Sequence, residues 1–316
     1  MILITGGMGF IGLHTARAFL DAGETVVATM HRSDHVPSFI AGDLGKRFFI
    51  ERLDVTSPFA VVQLMRRHRV TGIVHLAVPA LGTLSPGEEY RVNMSGLLNV
   101  LEAGRDAGVR RVSVASSVTV YDGLEAGPFT EDAALPIASR TSTEAFKKAY
   151  ETLGTWYAQD SGLDVLCLRI GYVYGPLYHS MSNLPSRLLH AALTGRRGPL
   201  APEGTAPPFE LDGRDLCYVE DCANAIAAAH LAQHPRFRIY NVGSGVATSN
   251  GQVANAVRAV VPNADLVLRE GAGPQFRPNA AMDLQRLYAD TEFRPKFDIE
   301  RGIERYAAWL RSGNAA

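Results

Sequence analysis

The sequence predicts an α/β protein built around a doubly wound parallel β-sheet, and three observations lead to this fold class. Short apolar runs typical of buried strands recur through the first half of the chain and alternate with amphipathic, helix-like segments. A glycine-rich turn joins the first of these runs to the first helix. The second half is richer in Gly and Pro, which indicates a smaller, less regular α/β region beside the main sheet.

The first strand and helix enclose the motif MILITGGMGFIG. Residues 1–5 are apolar and partly β-branched, and the run is too short for a helix. Gly6 permits a tight turn, Gly9 lets the backbone approach a pyrophosphate, and Gly12 lets the helix pack closely. The N–H groups and dipole of the helix start attract an anion. Because a strand precedes the motif and a helix follows it, we predict a dinucleotide phosphate site and a Rossmann-type fold.

Five further apolar runs predict the remaining strands of the sheet, with helices between them. They are TVVATM, FFIERLDV, GIVHLAV, RRVSVASS and DVLCLRI. In a doubly wound parallel sheet the ligand site lies at the carboxyl ends of the strands. We therefore expect the residues just after these runs to form the functional site.

A change of texture near Gly175 indicates how the chain divides. The segment GRRGPLAPEGTAPPFELDG is typical of loops, whereas GQVANAVRAVV and IERGIERYAAWLRS are typical of helices. We interpret residues 1–170 as a dinucleotide-binding Rossmann domain, completed by about 212–242. Residues 171–211 and 243–316 then form a smaller substrate-binding domain.

Composition and charge exclude several function classes. The 316 residues, 47% of them hydrophobic, suffice for one large domain and a smaller one. The formal net charge is −1 and the basic residues are dispersed, so neither nucleic acid nor a membrane is an expected partner. No apolar stretch reaches the roughly 20 residues of a spanning helix, and no room is left for a signal peptide, so we expect a cytoplasmic protein. The three cysteines lack metal-ligand spacing and are expected to be free thiols, with no metal site.

Several motifs follow one another along nearly the whole chain: TGGMGFIG, LDV, HLA, VNMSGLLNVLEA, RVSVASSVTVYDG, a helix with Lys147 and Glu151, LRIGYVYGP, GRDLCYVEDCANA and YNVGSG. In this order they resemble the extended short-chain dehydrogenase/reductase family, which includes NAD(P)-dependent epimerases and dehydratases of nucleotide sugars. The resemblance implies a small-molecule substrate, an NAD(P) cofactor and reversible hydride transfer. It also suggests a homodimer formed through paired helices, one of which carries Lys147.

The resemblance assigns cofactor contacts position by position. Asp54 and Val55 match adenine contacts, although an Asp at a strand end is also a common turn former. Leu76 and Ala77 would line the cofactor. The pyrophosphate loop is matched by Gly6, Gly9, Phe10, Ile11 and Gly12.

Two polar residues near these contacts are expected to support the site. His75, at a strand end, is expected to be packed or hydrogen-bonded rather than catalytic. Asn93 matches a position that supports the active-site architecture in the family. The alternative for Asn93 is a plain asparagine on a helix surface.

The end of the second strand bears on the choice between NAD and NADP. NAD-binding proteins usually place an Asp about 20 residues beyond the glycine loop, where it holds the ribose 2′-hydroxyl. This chain has Met30 there, followed by His31 and Arg32, and a guanidinium suits a 2′-phosphate. We therefore expect NADP to be preferred over NAD. The alternative is that Arg32 is solvated and that Asp34 serves the ribose.

The catalytic residues depart from the family pattern, which joins a Ser or Thr to a Tyr and a Lys four residues apart on one helix. Ser117 fits the first position, with Thr119 as a neighbour that could share its substrate contact. Lys147 fits the lysine and is expected to bind the nicotinamide ribose, but the tyrosine position holds Thr143. An aliphatic hydroxyl is a far weaker acid than a phenol, although it still donates a hydrogen bond.

Another group must then move the proton. Tyr172 is the first candidate, because it occupies a strand-end position where many nucleotide-sugar enzymes carry Asn. The alternative for Tyr172 is an aromatic side chain that only packs. Tyr121 and His179 are weaker candidates, and Tyr174 is expected to be structural. Glu144 and Lys148, adjacent to the threonine and the lysine, have the spacing of a surface salt bridge.

Two arginines are candidates for substrate binding. Arg214 aligns with an arginine that holds the substrate diphosphate in nucleotide-sugar members, and Arg277 lies in the region of a second one. A guanidinium binds such an anion through paired N–H donors. Both arginines could equally be salt-bridged surface residues, since Arg214 stands beside Asp215.

These residues predict an NAD(P)-dependent epimerase/dehydratase-type oxidoreductase with a non-standard active site. Its substrate would be a sugar nucleotide or a related hydroxyl or carbonyl compound. Two alternatives remain open: an NADP-dependent carbonyl reductase, and a catalytically silent dinucleotide-binding protein that reports redox state to a partner.

Overall fold

The computed structural model describes residues 1–30, 36–78, 84–195, 207–274 and 276–314. The two residues expected to select NADP, His31 and Arg32, lie outside the described residues, as does Asp34.

Within the described ranges the chain forms ten strands. They are β1 (Ile2–Thr5), β2 (Val26–Met30), β3 (Phe48–Arg52), β4 (Gly72–His75), β5 (Arg111–Ser117), β6 (Val165–Ile170), β7 (Tyr172–Tyr174), β8 (Gly213–Tyr218), β9 (Ile239–Val242) and β10 (Ala247–Ser249).

The same ranges contain eleven α-helices. They are α1 (Phe10–Asp21), α2 (Ser38–Ala41), α3 (Pro58–His68), α4 (Pro86–Tyr90), α5 (Gly96–Asp106), α6 (Ser142–Ser161), α7 (Leu184–Thr194), α8 (Val219–Leu231), α9 (Asn250–Val260), α10 (Gln285–Asp290) and α11 (Ile299–Arg311). A π-helical turn, Arg91–Ser95, joins α4 to α5. None of these described helices has the length and apolar character needed to cross a membrane.

The larger sheet has seven strands in the order β3-β2-β1-β4-β5-β6-β9, and every neighbouring pair is parallel. The chain runs outward from β1 to β3 and then continues on the other side of β1 with β4. This reversal places the carboxyl ends of β1 and β4 side by side, where such sheets bind their ligands. The predicted Rossmann-type α/β fold and the predicted strands are confirmed.

Helices cover both faces of this sheet. Leu3 and Ile4 of β1 are fully buried, and they enter different cores because successive strand residues point to opposite faces. Ile4 packs in a core with residues of α1 and α8, whereas Leu3 packs with residues of α3, α5 and α6. A sheet buried on both faces explains why its strands appear in the sequence as continuous apolar runs.

The smaller sheet has the order β10-β8-β7, with β7 and β8 parallel and β8 and β10 antiparallel. Of residues 212–242, which we assign to the Rossmann domain, α8 packs on the larger sheet and β9 is its last strand, whereas β8 lies in the smaller sheet. β8 joins the smaller sheet because its residues alternate between two cores. Leu216 and Tyr218 pack with α7, α9 and α11, while Cys217 packs with α1 and α8. The predicted helices GQVANAVRAVV and IERGIERYAAWLRS are confirmed as α9 and α11.

Candidate active site at the carboxyl edge of the sheet

The loop between β1 and α1 is packed so closely that Gly6 and Gly12 leave no room for side chains. Gly6 has a φ of +67°, and a Cβ there would lie 3.0 Å from the backbone nitrogen of Ala77. A Cβ on Gly12 would lie 2.5 Å from the Gly6 carbonyl oxygen. The Gly6 amide donates to Thr29 Oγ1 on β2 at 3.1 Å. The loop is therefore fixed against β2 and against the segment that follows β4.

The start of α1 is open to an anion. Its N-cap residue is Gly9, which has no side chain to cap the first-turn N–H groups of Phe10, Ile11 and Gly12. A Cβ on Gly9 would meet only the Gly6 carbonyl oxygen, at 3.2 Å, so a ligand can approach the backbone closely. An uncapped helix start beside a tight glycine turn fits a pyrophosphate.

Leu76 and Ala77 lie against this loop. The Leu76 amide donates to the carbonyl of Thr5 at 3.1 Å, and the Ala77 amide donates to Thr5 Oγ1 at 3.3 Å. His75 Nδ1 shares a 2.8 Å hydrogen bond with the same hydroxyl. Burial and, to a smaller extent, the nearby Lys147 charge lower the pKa of His75 to about 3. His75 is thus a packed, neutral residue.

Asp54 and Val55 follow β3 at the same edge of the sheet. Asp54 is exposed, and its Oδ1 accepts hydrogen bonds from the amide and the hydroxyl of Thr56, at 2.9 and 2.7 Å. One carboxylate oxygen of Asp54 therefore forms the turn that we named as the alternative to an adenine contact. Val55 is buried, and its carbonyl accepts from Asn99 Nδ2 at 2.9 Å. This turn ends the strand at Arg52, three residues before the end of the predicted run.

Ser117 ends β5 opposite Ile170 of β6. Its Oγ accepts hydrogen bonds from the amide and the hydroxyl of Thr119, at 3.2 and 3.0 Å. Within the described ranges no group accepts the Ser117 hydroxyl proton. Ser117 is therefore able to donate to a ligand, and Thr119 stands beside it.

Lys147 projects from α6 towards β5, two residues before Ser117 on that strand. Its Nζ donates to the carbonyl of Ala115 at 2.6 Å and lies 4.6 Å from the centroid of the Tyr150 ring. The residue is only 7% exposed, and among the described residues no carboxylate forms an ion pair with it. Burial lowers the pKa of Lys147 to about 8. Thr143 lies one turn earlier on the same face of α6 and is half-buried.

Asn93 is buried in the π-helical turn and connects α4 to α6, the helix that carries Lys147. Its Oδ1 accepts from the Tyr150 hydroxyl at 2.9 Å, and its Nδ2 donates to the Glu89 carbonyl at 2.8 Å, across the π-helical turn. The alternative of a surface asparagine does not hold. Tyr150, which touches both Asn93 and Lys147, was missed by the sequence analysis. Its spacing of three residues from Lys147 was the available signal.

The expected surface salt bridge between Glu144 and Lys148 is present, at 2.7 Å, but it is not on the surface. Glu144 is 0% exposed and also accepts from the Arg140 amide at 2.8 Å. Lys148 Nζ donates to the carbonyls of Pro136 and Ala138. The segment 136–140 folds back over the first turns of α6, and this pair holds it there.

Tyr172 and Arg214 meet on the smaller sheet. The guanidinium of Arg214 lies 4.4 Å from the centroid of the half-buried Tyr172 ring. Burial raises the pKa of Tyr172, while the nearby Arg214 and Arg277 oppose this shift. Asp215 does not serve chiefly as a surface ion-pair partner of Arg214, because it is buried. Its carboxylate accepts hydrogen bonds from the amides of Ser244, Gly245 and Met282, at 2.7 to 3.0 Å.

The remaining candidates are placed less favourably. Arg277 forms an ion pair with Asp122 at 2.8 Å, as its salt-bridge alternative expects. Tyr121 is buried, its hydroxyl donates to Asn241 Oδ1 at 2.7 Å and accepts from Arg169 at 2.8 Å, and burial raises its pKa to about 12. His179 is exposed in the loop after β7, and Tyr174 is buried.

The three cysteines are buried free thiols, as expected. The described part of the chain contains no cluster of His, Cys, Asp and Glu side chains suited to a metal ion.

Comparison with known sequences identifies proteins related to this chain. A model of the NAD dependent epimerase/dehydratase family matches residues 2–243. The chain is 30% identical to a UDP-glucose 4-epimerase of Azospirillum brasilense, over 98% of this chain and 92% of that protein. It is 27% identical to a dTDP-glucose 4,6-dehydratase of Streptomyces griseus, over 98% and 93% of the two chains.

Solved structures agree with the fold. The UDP-glucose 4-epimerase of Thermus thermophilus, in complex with NAD, matches with a TM-score of 0.78 and 26% identity over 99% of each chain. The UDP-glucose 4-epimerase of Thermotoga maritima, solved with UDP-glucose, matches with a TM-score of 0.80 and 20% identity over 99% of each chain. The second likeness concerns the fold alone.

Proposed function

Since the chain belongs to the NAD dependent epimerase/dehydratase family, we propose that it uses NAD(P) to interconvert hydroxyl and carbonyl groups of a sugar nucleotide or a related substrate. The observation that carries this proposal is the juxtaposition of two features at one sheet edge. One is the uncapped start of α1 behind the glycine loop, and the other is the carboxyl end of β5, where the buried Lys147 ammonium binds the Ala115 carbonyl two residues before Ser117.

The residues of the cradle fit a dinucleotide. First-turn N–H groups of α1 would hold the pyrophosphate, Leu76 and Ala77 would line the site, and Lys147 would donate to the nicotinamide ribose. When bound, the nicotinamide accepts and returns a hydride. Because nothing among the described residues neutralises Lys147, its ammonium remains available for the cofactor below a pH of about 8.

Ser117 and Thr143 are proposed to orient the reacting oxygen, Ser117 through its free hydroxyl proton and Thr143 from the neighbouring turn of α6. Tyr172 is proposed to transfer the proton. Because burial raises its pKa, the phenol is protonated at neutral pH and starts as the donor. Arg214, which covers the ring of Tyr172, is proposed to bind the substrate diphosphate, with Arg277 as a second cation.

The preference for NADP remains a proposal based on His31 and Arg32. NAD itself accompanies the related epimerase of Thermus thermophilus. A homodimer is also proposed, formed by α6 and the neighbouring α5. These two helices are joined by the Tyr157 hydroxyl and Glu102, and they carry the exposed apolar residues Leu98 and Trp156.

The test is a substrate screen with the purified protein. The protein is incubated with NAD⁺ or NADP⁺ and one of three sugar nucleotides, and the products are resolved by NMR. The three are those in the names of related proteins: UDP-glucose, UDP-glucuronate and dTDP-glucose. We expect conversion of at least one substrate, abolished in Lys147→Ala. Stoichiometric consumption of NADPH with ketones or aldehydes would favour the carbonyl reductase instead. If cofactor binds but no substrate of either kind turns over, the enzymatic proposal fails.

A further inference from the structure

Lys147 and Glu151 are buried one turn apart on α6, but they do not form an ion pair with each other. Lys147 Nζ donates to the Ala115 carbonyl at 2.6 Å, and Glu151 Oε1 accepts from the Ser116 hydroxyl at 2.5 Å. Both side chains thus reach neighbouring residues of β5. A lysine and a glutamate at this helical spacing commonly pair, and buried charges usually have a partner. The fold therefore keeps apart two charges that attract each other.

Arg169 of β6 binds both carboxylate oxygens of Glu151. Its Nε donates to Oε1 at 2.9 Å, and one terminal nitrogen donates to Oε2 at 2.7 Å. The two side chains are 3% and 6% exposed, so water does not compete for the pair. A guanidinium that binds a carboxylate through two parallel N–H donors is stronger and more directional than a lysine ammonium. Glu151 is consequently directed to β6 rather than to Lys147.

The other side of the Arg169 guanidinium is fixed as well. Its second terminal nitrogen donates to the Tyr121 hydroxyl at 2.8 Å and to the Glu131 carbonyl at 3.3 Å. The Tyr121 hydroxyl donates in turn to Asn241 Oδ1 at 2.7 Å. These bonds hold the guanidinium in place, and the Glu151 carboxylate stays with it.

The other titratable groups near Lys147 leave its charge unbalanced. Burial lowers the pKa of His75, on β4, to about 3, so the ring is neutral at physiological pH. Burial raises the pKa of Tyr150, on α6, and of Cys167, on β6, so the phenol and the thiol keep their protons. Glu144, earlier on α6, is bound by a different lysine. None of these groups neutralises the Lys147 ammonium.

We propose that Arg169 is a positioning residue, which holds the Glu151 carboxylate away from Lys147 and so leaves the lysine ammonium unpaired. Without Arg169, the carboxylate would turn to the cation that lies one helical turn away. The use of the unpaired ammonium rests on the proposed function, in which Lys147 binds the cofactor. The pairing itself is a property of the folded chain and is measurable without a substrate.

The chain has four lysines, so Lys147 can be followed by NMR in protein labelled with ¹³C at lysine Cε. Its signal is assigned by its absence in Lys147→Met, and the parent should titrate with a pKa of about 8. In Arg169→Met we expect the pKa of Lys147 to rise by about one pH unit or more, because an adjacent carboxylate favours the ammonium. NAD⁺ binding at pH 7, measured by isothermal titration, should weaken about tenfold, because the ammonium is then engaged.

A double variant separates this effect from a loss of packing. Arg169→Met combined with Glu151→Gln removes the competing carboxylate, so Lys147 should titrate and bind NAD⁺ as in the parent. A purely structural role of Arg169 would leave the double variant at least as impaired as the single one. Arg111→Met, which changes another buried arginine at the opposite end of β5, is the matched control and should leave the pKa of Lys147 unchanged.

The inference is overturned if Lys147 titrates alike in the parent and in Arg169→Met, or if the double variant keeps the raised pKa. If Arg169→Met does not fold, Arg169→Lys retains the buried charge and loses the bidentate contact. It should raise the pKa of Lys147 by a smaller amount, and an unchanged pKa there would equally overturn the inference. If the pKa shifts as expected while NAD⁺ affinity is the same in every variant, the inference is supported and the proposed cofactor contact of Lys147 is contradicted.

Discussion

Thr143 is the residue at which we propose that this site departs from its family. Its side chain is short and half-buried, one turn from a lysine whose ammonium is buried and bonded to a carbonyl. We propose that the proton role falls to a residue on another element, Tyr172.

We predict that Tyr172→Phe lowers kcat on the substrate found in the screen by about 10²-fold or more, the usual effect of losing a general acid. Cofactor affinity should not change. Tyr90→Phe, at an exposed tyrosine on α4, is the matched control and should keep full kcat. Full turnover in Tyr172→Phe would exclude the proton role.

We predict that Arg32→Ala weakens NADPH binding by about tenfold, the loss expected for one charge-assisted hydrogen bond. NADH binding should stay the same, because the ribose 2′-hydroxyl carries no charge. Isothermal titration of both cofactors measures the ratio, with Arg66→Ala, an exposed arginine at the end of α3, as control. Equal losses for both cofactors would contradict a 2′-phosphate contact.

Among the elements, α1 and its glycine loop act as one unit. The helix begins at Phe10 with no capping side chain, because a cap would occupy the space of the anion. The loop is pressed so closely onto β2 and the end of β4 that the backbone itself forms the site wall.

We predict that Gly12→Ala destabilises the protein by about 2 kcal/mol, as overpacking does, and weakens NAD(P) binding at least tenfold. A Cβ there would lie 2.5 Å from the Gly6 oxygen, so the loop must move. Gly87→Ala is the matched control, since a Cβ at that helical glycine meets nothing within 4 Å. Urea unfolding and cofactor titration measure both effects. An unchanged affinity in Gly12→Ala would contradict the role of the loop.

Helices α5 and α6 present the proposed dimer face. We predict that Trp156→Glu converts the dimer to a monomer, because it places a charge on a residue that is 58% exposed in the single chain and would be buried between two chains. Phe59→Glu, which changes another exposed aromatic, on α3, should remain dimeric. Light scattering during size exclusion distinguishes these results. A monomeric parent protein would end the dimer proposal.

At the scale of the whole molecule, three buried histidines make the free energy of unfolding depend on pH. Burial lowers the pKa of His75 and His230 to about 3 and that of His14 to about 4. In the unfolded chain each would titrate near 6.5, so the unfolded state takes up protons first as the pH falls. Their contribution to stability is complete above about pH 6.5 and is lost as the pH falls towards these values.

We predict that the free energy of unfolding depends less steeply on pH in His230→Gln than in the parent. The difference should reach about 2 kcal/mol between pH 6.5 and 5, from one group that titrates only when unfolded. His179→Gln, at an exposed histidine, should leave the slope unchanged. Urea unfolding at a series of pH values measures the slopes, and parallel curves for parent and His230→Gln would contradict the assignment.

Much of the large sheet and part of the site could be predicted from local patterns. The glycine loop, the buried strands and α9 and α11 follow from residues adjacent in sequence. The burial of the Glu144–Lys148 pair could not be predicted in this way, because it depends on how segment 136–140 folds back over α6. Asn93 and Tyr150 meet only because two helices, far apart in the chain, pack together.

The sequence alone determined that this chain has a Rossmann-type sheet and a glycine loop, since both arise from the periodicity and the conformational freedom of neighbouring residues. Only the tertiary structure decided that β8 joins the smaller sheet, that Lys147 is buried against the Ala115 carbonyl without a carboxylate partner among the described residues, and that Arg214 covers Tyr172. These facts depend on which distant segments share a core. Burial and pairing are properties of that packing, and they determine the charge and the hydrogen bonds available at the site.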